Sequence, residues 1–472
     1  MILNDLLKGK TMSAHDDRKS FFSRFKQAAN RIIRMVIFGA LIWKIGDYFL
    51  GVLRKPRHIP HFISLDQDTL DKGYVIANRN LKIGIEDRRL PNGELKRVLC
   101  AGHRNFREPW ARDLSFAVFG LMEIGEAEVA RQSLEVFLHF QKPSGQFPIK
   151  CFSTGIIDRY MHSLFGRRQP TQQPLRPKYL SGHNTFSLDG NALLVIAILN
   201  YASYSNDLEF VRQHWAGLKQ AVTWLEKQAL RERDLLYQEA YSDWADSLAL
   251  KGYVLYTNVI YWKVLKEMAD FSKKISSHED TDPWMKQASR TRIAIYAEFW
   301  RDDPGYFINS LEIPNFSSAG NLLAIAWGLV SYEQGRKVLE ALDRFKMSDP
   351  VPTRVMQAVV PRKFIAIENQ IAGIPQYHTQ AAWLWLGAWH VVALTKMGRV
   401  AEADEILERI MKVVERDKIV YEVYGVNGKF LSTPFYTAEA PLTWSAGMIV
   451  YAYHYLDHSK MGLTGTFESK VA

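Results

Sequence analysis

Two cysteines, Cys100 and Cys151, are all the thiol chemistry this 472-residue chain possesses. Two cannot make a disulfide framework, and neither stands in a CxxC or Cys/His spacing of a zinc site. A reducing, cytoplasmic setting is therefore expected, with no metal and no cofactor. Equally absent is an uninterrupted apolar run of the roughly 20 residues that a membrane-spanning helix needs. The run Met35 to Trp43 meets Lys44 and Asp47 before apolar residues resume to Leu53, and no small-residue cleavage site follows it. There is no fixed repeat period, which argues against a solenoid. Nor is there a nucleic-acid motif to give meaning to the net charge of +10, much of which lies near the N-terminus, so no nucleic-acid partner is expected.

What the chain does have is 47% hydrophobic and 23% charged residues, enough apolar surface for a large globular core. Residues 1–60 read as an extension. Arg18, Lys19, Arg24, Lys26, Arg31 and Arg34 precede its short apolar run, and Pro56 and Pro60 close it. Residues 18–53 are read either as a helix packed on the body or as a peripheral contact with an anionic membrane face. Residues 61–472 form the body.

Across the body the dominant signal is apolar residues three and four apart, the period of an amphipathic helix. It predicts helices at about 65–82, 110–124, 126–141, 189–204, 207–229, 255–275, 283–301, 318–331, 333–346, 377–397, 399–416 and 440–456. Junctions such as Ile124-Gly125-Glu126, Ser205-Asn206-Asp207 and Met397-Gly398-Arg399 are short. Those near 142–188, 230–254, 302–317, 347–376 and 417–439 are long and fall after every second helix. Alternation of short and long connections in a ring of antiparallel pairs collects the long loops on one face. Leu193 to Leu199 and Ala381 to Leu394 are apolar on nearly all sides and read as inner helices, whereas 126–141, 207–227 and 401–416 carry the charged stripes of outer ones. The expected fold is all-α, an (α/α)6 toroid.

The long loops hold acids, amides and aromatics together: Trp110, Arg112 and Asp113; His183 and Asn184; Asp243, Trp244 and Asp246; Tyr377 and His378; Glu422 and Glu439. Sugar hydroxyls need donors and acceptors while their C–H faces stack on aromatic rings, so such a mixture suits a carbohydrate site. Glycosidic cleavage usually needs one carboxylic acid to protonate the leaving oxygen and a second carboxylate to activate water or attack the anomeric carbon. Blander readings stand beside these. Asp113 and Asp189 sit at helix starts, where a carboxylate can simply cap the first turn; Glu439 before Ala440-Pro441 can be a helix-start acid. His378 can be a structural hydrogen bonder, and Trp383, Trp385 and Trp389 read as core.

In order along the chain, these segments resemble the (α/α)6 glycoside hydrolases, above all the neutral/alkaline invertases. More distant likeness extends to trehalases, processing α-glucosidases and amylo-α-1,6-glucosidases. The resemblance covers most of residues 100–456. Trp110-Ala111-Arg112-Asp113-Leu114 with Gly145-Gln146-Phe147-Pro148 resembles the invertases' substrate-binding Arg-Asp segment, and Gln376-Tyr377-His378 their Tyr-His segment. Asp243-Trp244-Ala245-Asp246-Ser247 occupies the place of the general acid; Asp246 is preferred, with Asp243 as the alternative. Tyr421-Glu422-Val423-Tyr424-Gly425, followed by Leu442-Thr443-Trp444-Ser445, resembles the base glutamate and terminal Trp-Ser helix. Glu422 is then the base, with Glu439 its competitor.

The resemblance implies an inverting hydrolase of a small α-glucoside, whether sucrose, trehalose, an osmolyte glucoside or a short α-glucan. Three alternatives remain at this point. A phosphorylase would bind phosphate through Arg167, Arg168, Arg176 and Lys178; a sugar epimerase would use His378 and His183; a non-catalytic carbohydrate-binding protein needs neither.

Overall fold

The computed structural model describes residues 69–164, 167–171, 173–228, 233–277 and 280–462. The extension, including the stretch 18–53 weighed for membrane contact, lies outside the described residues. Among the described residues no helix is long and apolar enough to cross a membrane.

In chain order the helices are α1 (Thr69–Ile83), α2 (Ala111–Glu123), α3 (Ala127–His139), α4 (Ile156–Leu164), α5 (Leu188–Ser205), α6 (Leu208–Gln228), α7 (Leu255–Lys274), α8 (Thr281–Phe299), α9 (Ser318–Ala326), α10 (Tyr332–Arg344), α11 (Ile367–Ile371), α12 (Leu384–Lys396), α13 (Val400–Asp417) and α14 (Thr443–Lys460). Setting aside the loop-borne α4 and α11, two rings of six emerge. α2, α5, α7, α9, α12 and α14 pack each on the next, and α14 returns to α2, which closes the inner ring. α1, α3, α6, α8, α10 and α13 lie outside it. The division follows composition: α5 and α12 are buried along nearly their whole length, while α10 and α13 bury one stripe and present charge elsewhere.

Local chemistry sets the turns. α5 ends on Asn206 in the left-handed region (φ 57°), with Asp207 accepting from the Phe210 N–H to start α6. Gly125 and Gly398, both at φ 75°, make the corresponding short turns after α2 and α12. α10 begins with a capping box between Ser331 and Gln334. The long connections lead from outer to inner helices and, among the described residues, carry four two-stranded antiparallel ladders. Isolated bridges such as Gly102 to Leu442, Trp110 to Lys150, Leu248 to Ile365 and Ala382 to Tyr424 tie neighbouring loops to each other on one face.

The helix expected over 318–331 ends at Ala326, but the largest departure from the periodic pattern is at one helix start. The helix expected over 377–397 begins only at Leu384. The backbone before it is already committed to other loops: Ala382 N–H bonds to the Tyr424 carbonyl at 2.8 Å and Trp383 N–H to the Thr353 carbonyl at 3.1 Å. An extended strand-like segment bonded on both sides cannot also be helix. Residues 377–383 therefore supply side chains to the loop face.

The first and last inner helices close the ring along a tight seam. Phe116 of α2 stacks on Trp444 of α14 (5.4 Å between centroids, 3°), and Phe119 meets Tyr451 at 4.9 Å. Between these pairs the backbones touch, for a Cβ at Gly120 would lie 2.2 Å from the Gly447 carbonyl oxygen. Gly120→Ala should accordingly destabilise the protein by about 1–3 kcal/mol through overpacking. A urea unfolding midpoint unchanged from the parent would show that the seam yields without cost.

Candidate active site

At the N-terminal ends of the inner helices, the loop face opens into a cavity of about 120 Å³. Its wall is aromatic and acidic, with Phe106, Trp110, Trp244, Tyr377, Trp383 and Trp444 surrounding Arg112, Asp113, Asp246, His378 and Glu422. Beneath it lie Trp385, which packs on Trp244 (4.9 Å) and Trp444 (4.5 Å), and the fully buried Trp389. Of the three tryptophans read as core, Trp385 and Trp389 are core and Trp383 is wall.

The two aspartates of the Asp243–Asp246 loop part company. Asp243 points inward and is dry: its carboxylate accepts from the Ala245 N–H at 2.9 Å and from Gln238 Nε2 at 3.1 Å. Asp246 points outward: it is exposed and lines the cavity. That setting raises its carboxyl to about 6: burial within the protein dominates, Arg112 pulls the other way, and Asp189 and Glu422 add to the rise.

The two glutamates divide in the same manner. Glu422 is on the cavity wall and buried, held by the hydroxyls of Tyr377 and Tyr436 (the latter at 2.5 Å) and by the Glu439 N–H at 2.9 Å. Burial raises its pKa, and the two tyrosine hydroxyls and that N–H restrain the rise. Glu439 lies behind the wall. Its oxygens take the backbone N–H groups of His103 (3.1 Å), Arg104 (2.6 Å) and Asn105 (2.9 Å), with the Arg104 guanidinium 3.7 Å away. Burial pushes this carboxyl up to about 7, but three N–H donors and a guanidinium favour its charged form, and its work is to hold the 103–105 loop.

Arg112 reaches the cavity from the first turn of α2 and is fixed from behind by Asp189 through a two-point contact at 2.6 and 3.2 Å. Asp189 also accepts from Ser187 Oγ (2.6 Å), the Gly190 N–H (2.7 Å) and Tyr256 (3.3 Å), so it orients Arg112 without reaching the wall. Neither helix-start aspartate is the N-cap, a position held by Trp110 on α2 and Ser187 on α5. Asp113 does line the cavity, and burial raises it to about 7 against the pull of Arg112. His378 Nδ1 meets Ser247 Oγ at 2.8 Å and its ring stacks on Trp383. Burial, aided by Arg112, holds its pKa well below the ordinary value, so it is a neutral imidazole. His183 and Asn184 stand off the wall on the rim: His183 stacks on Tyr241 at 3.9 Å and pairs with Glu368 at 2.8 Å, and Asn184 is exposed at φ 60°.

Sequence reasoning overlooked Phe106 and Tyr436 altogether, and read Leu442 only as part of the terminal Trp-Ser motif. Trp444 stood within the terminal Trp-Ser motif without being assigned to the site. Tyr436, which holds Glu422, carries no motif of its own.

Residues 153–349 match the family profile described as a bacterial alpha-L-rhamnosidase 6 hairpin glycosidase domain. Among solved structures, the chain is similar to a rhamnosidase from Klebsiella oxytoca with rhamnose bound (TM-score 0.61, 13% identity, 83% of this chain and 65% of that one). It is also similar to a glycosidase variant in complex with glucose (TM-score 0.60, 17% identity, 84% and 99%). A third is the GH63 mannosylglycerate hydrolase from Thermus thermophilus in complex with Tris and D-glycerate (TM-score 0.58, 13% identity, 81% and 99%). A shorter match joins it to N,N'-diacetylchitobiose phosphorylase of Vibrio proteolyticus, 26% identical over 121 residues, 23% of this chain and 15% of that protein's length. The fold is thus the (α/α)6 toroid of the six-hairpin glycosidases. These likenesses run to rhamnosidases and a GH63 hydrolase and are not specific to invertases or trehalases.

Proposed function

We propose that this protein is a glycoside hydrolase that cleaves a small α-glucoside with inversion, using Asp246 as general acid and Glu422 as general base. One observation carries the reading: two carboxylates from loops far apart in sequence line one aromatic cavity about 120 Å³ in volume. Such a space suits a single pyranose ring, with Arg112, Asp113 and His378 placed for its hydroxyls and the tryptophans for its C–H faces. The glycosidase-like fold and relatives that include a rhamnosidase and a mannosylglycerate hydrolase favour a small-sugar substrate of this kind.

In the proposed step, Asp246 gives its proton to the glycosidic oxygen as the bond to the anomeric carbon breaks. Water adds to that carbon from the opposite side and loses a proton to Glu422. Proton exchange with solvent then restores both groups. Both carboxyls of the loop are raised, Asp243 to about 7 and Asp246 to about 6, so position decides: Asp246 lines the cavity and suits the acid better than dry Asp243, and wall-lining Glu422 suits the base better than Glu439, whose oxygens are taken. The test is to incubate the purified chain with a panel of α-glucosides, with and without phosphate, and to follow the products by NMR. A free sugar of inverted anomeric configuration, formed at a rate independent of phosphate, is expected; no cleavage of any glycoside would defeat the proposal.

Phosphorolysis is the second reading, favoured by the match to a chitobiose phosphorylase. Against it, Arg168 of the basic loop is paired with Glu86 at 2.7 Å, and the phosphate arm decides between the two. Epimerisation lacks its second histidine on the wall, because His183 is engaged by Glu368 at the rim.

The acid limb of kcat/KM should report Glu422, which must be ionised, and the basic limb Asp246, which must be protonated, near pH 6. Activity is therefore lost as pH falls through the first pKa and as it rises through the second. Tyr436→Phe removes a hydroxyl that lowers the Glu422 pKa, so the acid limb should move to higher pH while the basic limb stays. A profile with an unmoved acid limb would detach Glu422 from that titration.

A further inference from the structure

The α2/α14 seam continues below Gly120 and Gly447 to the face of the ring opposite the cavity. There Glu123, the last residue of α2, meets His454 and His458, one turn apart on α14. One ligand-capable atom from each of the three lies within 4.8 Å of the others. We propose that Glu123, His454 and His458 form a divalent transition-metal site, of Zn²⁺ type, that staples the first inner helix to the last.

Chemistry and geometry agree on this occupant. Two imidazoles and one carboxylate are a ligand set suited to Zn²⁺ and its neighbours, and histidines four apart on a helix project from one face. A tetrahedral ion about 2.1 Å from each ligand would hold the donor atoms about 3.4 Å apart. The side chains need draw in by only about an ångström, a rotamer adjustment. The ring of His454 is already oriented, its Nε2 meeting the Tyr74 hydroxyl at 2.9 Å, and Tyr204 approaches Glu123 at 3.4 Å, the outer-shell support that fixes metal ligands.

Electrostatics point the same way. Glu123 is an acid in the last turn of a helix that carries no basic residue there, at the end where the helix dipole favours a cation. Among the described residues no lysine or arginine pairs with it, and Lys460 of the neighbouring last turn is turned to Asp404 at 2.8 Å. Burial pushes the Glu123 carboxyl up to about 7 and the His454 imidazole down. A bound dication would supply the missing counter-charge and take the imidazole nitrogens as ligands. The expectation of no metal rested on cysteine spacing, which does not bear on this seam.

The experiment uses the full chain stripped with EDTA and dialysed, then titrated with Zn²⁺ against a chromophoric chelator. One equivalent should bind, and at a hundredfold excess over Kd the thermal midpoint should rise by about 3 °C. Glu123→Gln and His458→Gln should each weaken that binding at least tenfold and, at the same Zn²⁺ concentration, cut the midpoint shift to about half or less. The unsubstituted chain with Co²⁺ should show the intense visible bands of a four- or five-coordinate ion, a result that does not depend on any variant folding. The proposal is overturned by the absence of saturable Zn²⁺ binding, by a weak octahedral Co²⁺ spectrum, or by folded variants that bind as the parent does.

Discussion

Asp246→Asn should lower kcat by a factor on the order of 10² or more toward an alkyl α-glucoside, with KM nearly unchanged. Asparagine keeps the size of the side chain and removes its ability to give a proton. The loss should shrink steadily as the leaving group becomes more acidic, since an aryl or fluoride leaving group departs with little protonation. Asp243→Asn provides the contrast. Its carboxylate holds the loop through the Ala245 N–H and Gln238, and an amide there would turn an NH₂ toward one of those donors. That variant should lose stability, together with a rate loss of the same size for every leaving group. Should the leaving-group dependence follow Asp243→Asn instead, the acid is reassigned within the same loop and the mechanism stands.

The comparison of these neighbours shows where sequence reasoning ends. The ring of helices was legible because helix burial repeats every three to four residues, and the alternation of short and long junctions put the long loops on one face. That Asp243 and Asp246 both belonged to the site loop was legible too. Which of them faces the cavity depends on Gln238 and the Ala245 N–H, contacts set by how the loop folds on itself. Residues 377–383 misled for a related reason: their apolar pattern continues that of α12, while turn hydrogen bonds at 377–381 and bonds from Ala382 and Trp383 to the 424 and 353 segments hold the backbone out of a helix. Phe106 and Tyr436 carry no pattern, because a loop residue is placed in the wall by neighbouring loops and not by its own periodicity. The seam cluster needed the ring to close before Glu123 could meet His454, more than three hundred positions later. Along α14 alone, two histidines four apart say only that they share a face.

Glu422→Gln should be as damaging as Asp246→Asn, again on the order of 10² or more in kcat, but it should differ in kind. An activated leaving group does nothing for an enzyme that can no longer deprotonate water, so its deficit should be similar for alkyl and aryl glucosides. Azide needs no deprotonation. Added to Glu422→Ala, where truncation leaves space beside Tyr377 and Tyr436, it should restore turnover and yield a β-glycosyl azide from an α-glucoside, which places Glu422 on the face opposite the leaving group. Glu439→Gln should behave otherwise. It sets an amide NH₂ against one of three backbone N–H donors, at His103, Arg104 or Asn105, and so loosens the loop that carries Phe106 into the cavity. A raised KM and a lowered unfolding midpoint, with no response to azide at position 439, are the expected signs of a residue that holds the wall. Azide rescue of Glu439→Ala in place of Glu422→Ala would exchange their roles. Full activity in both glutamine variants would remove the base from this cavity and, with it, the proposed hydrolysis.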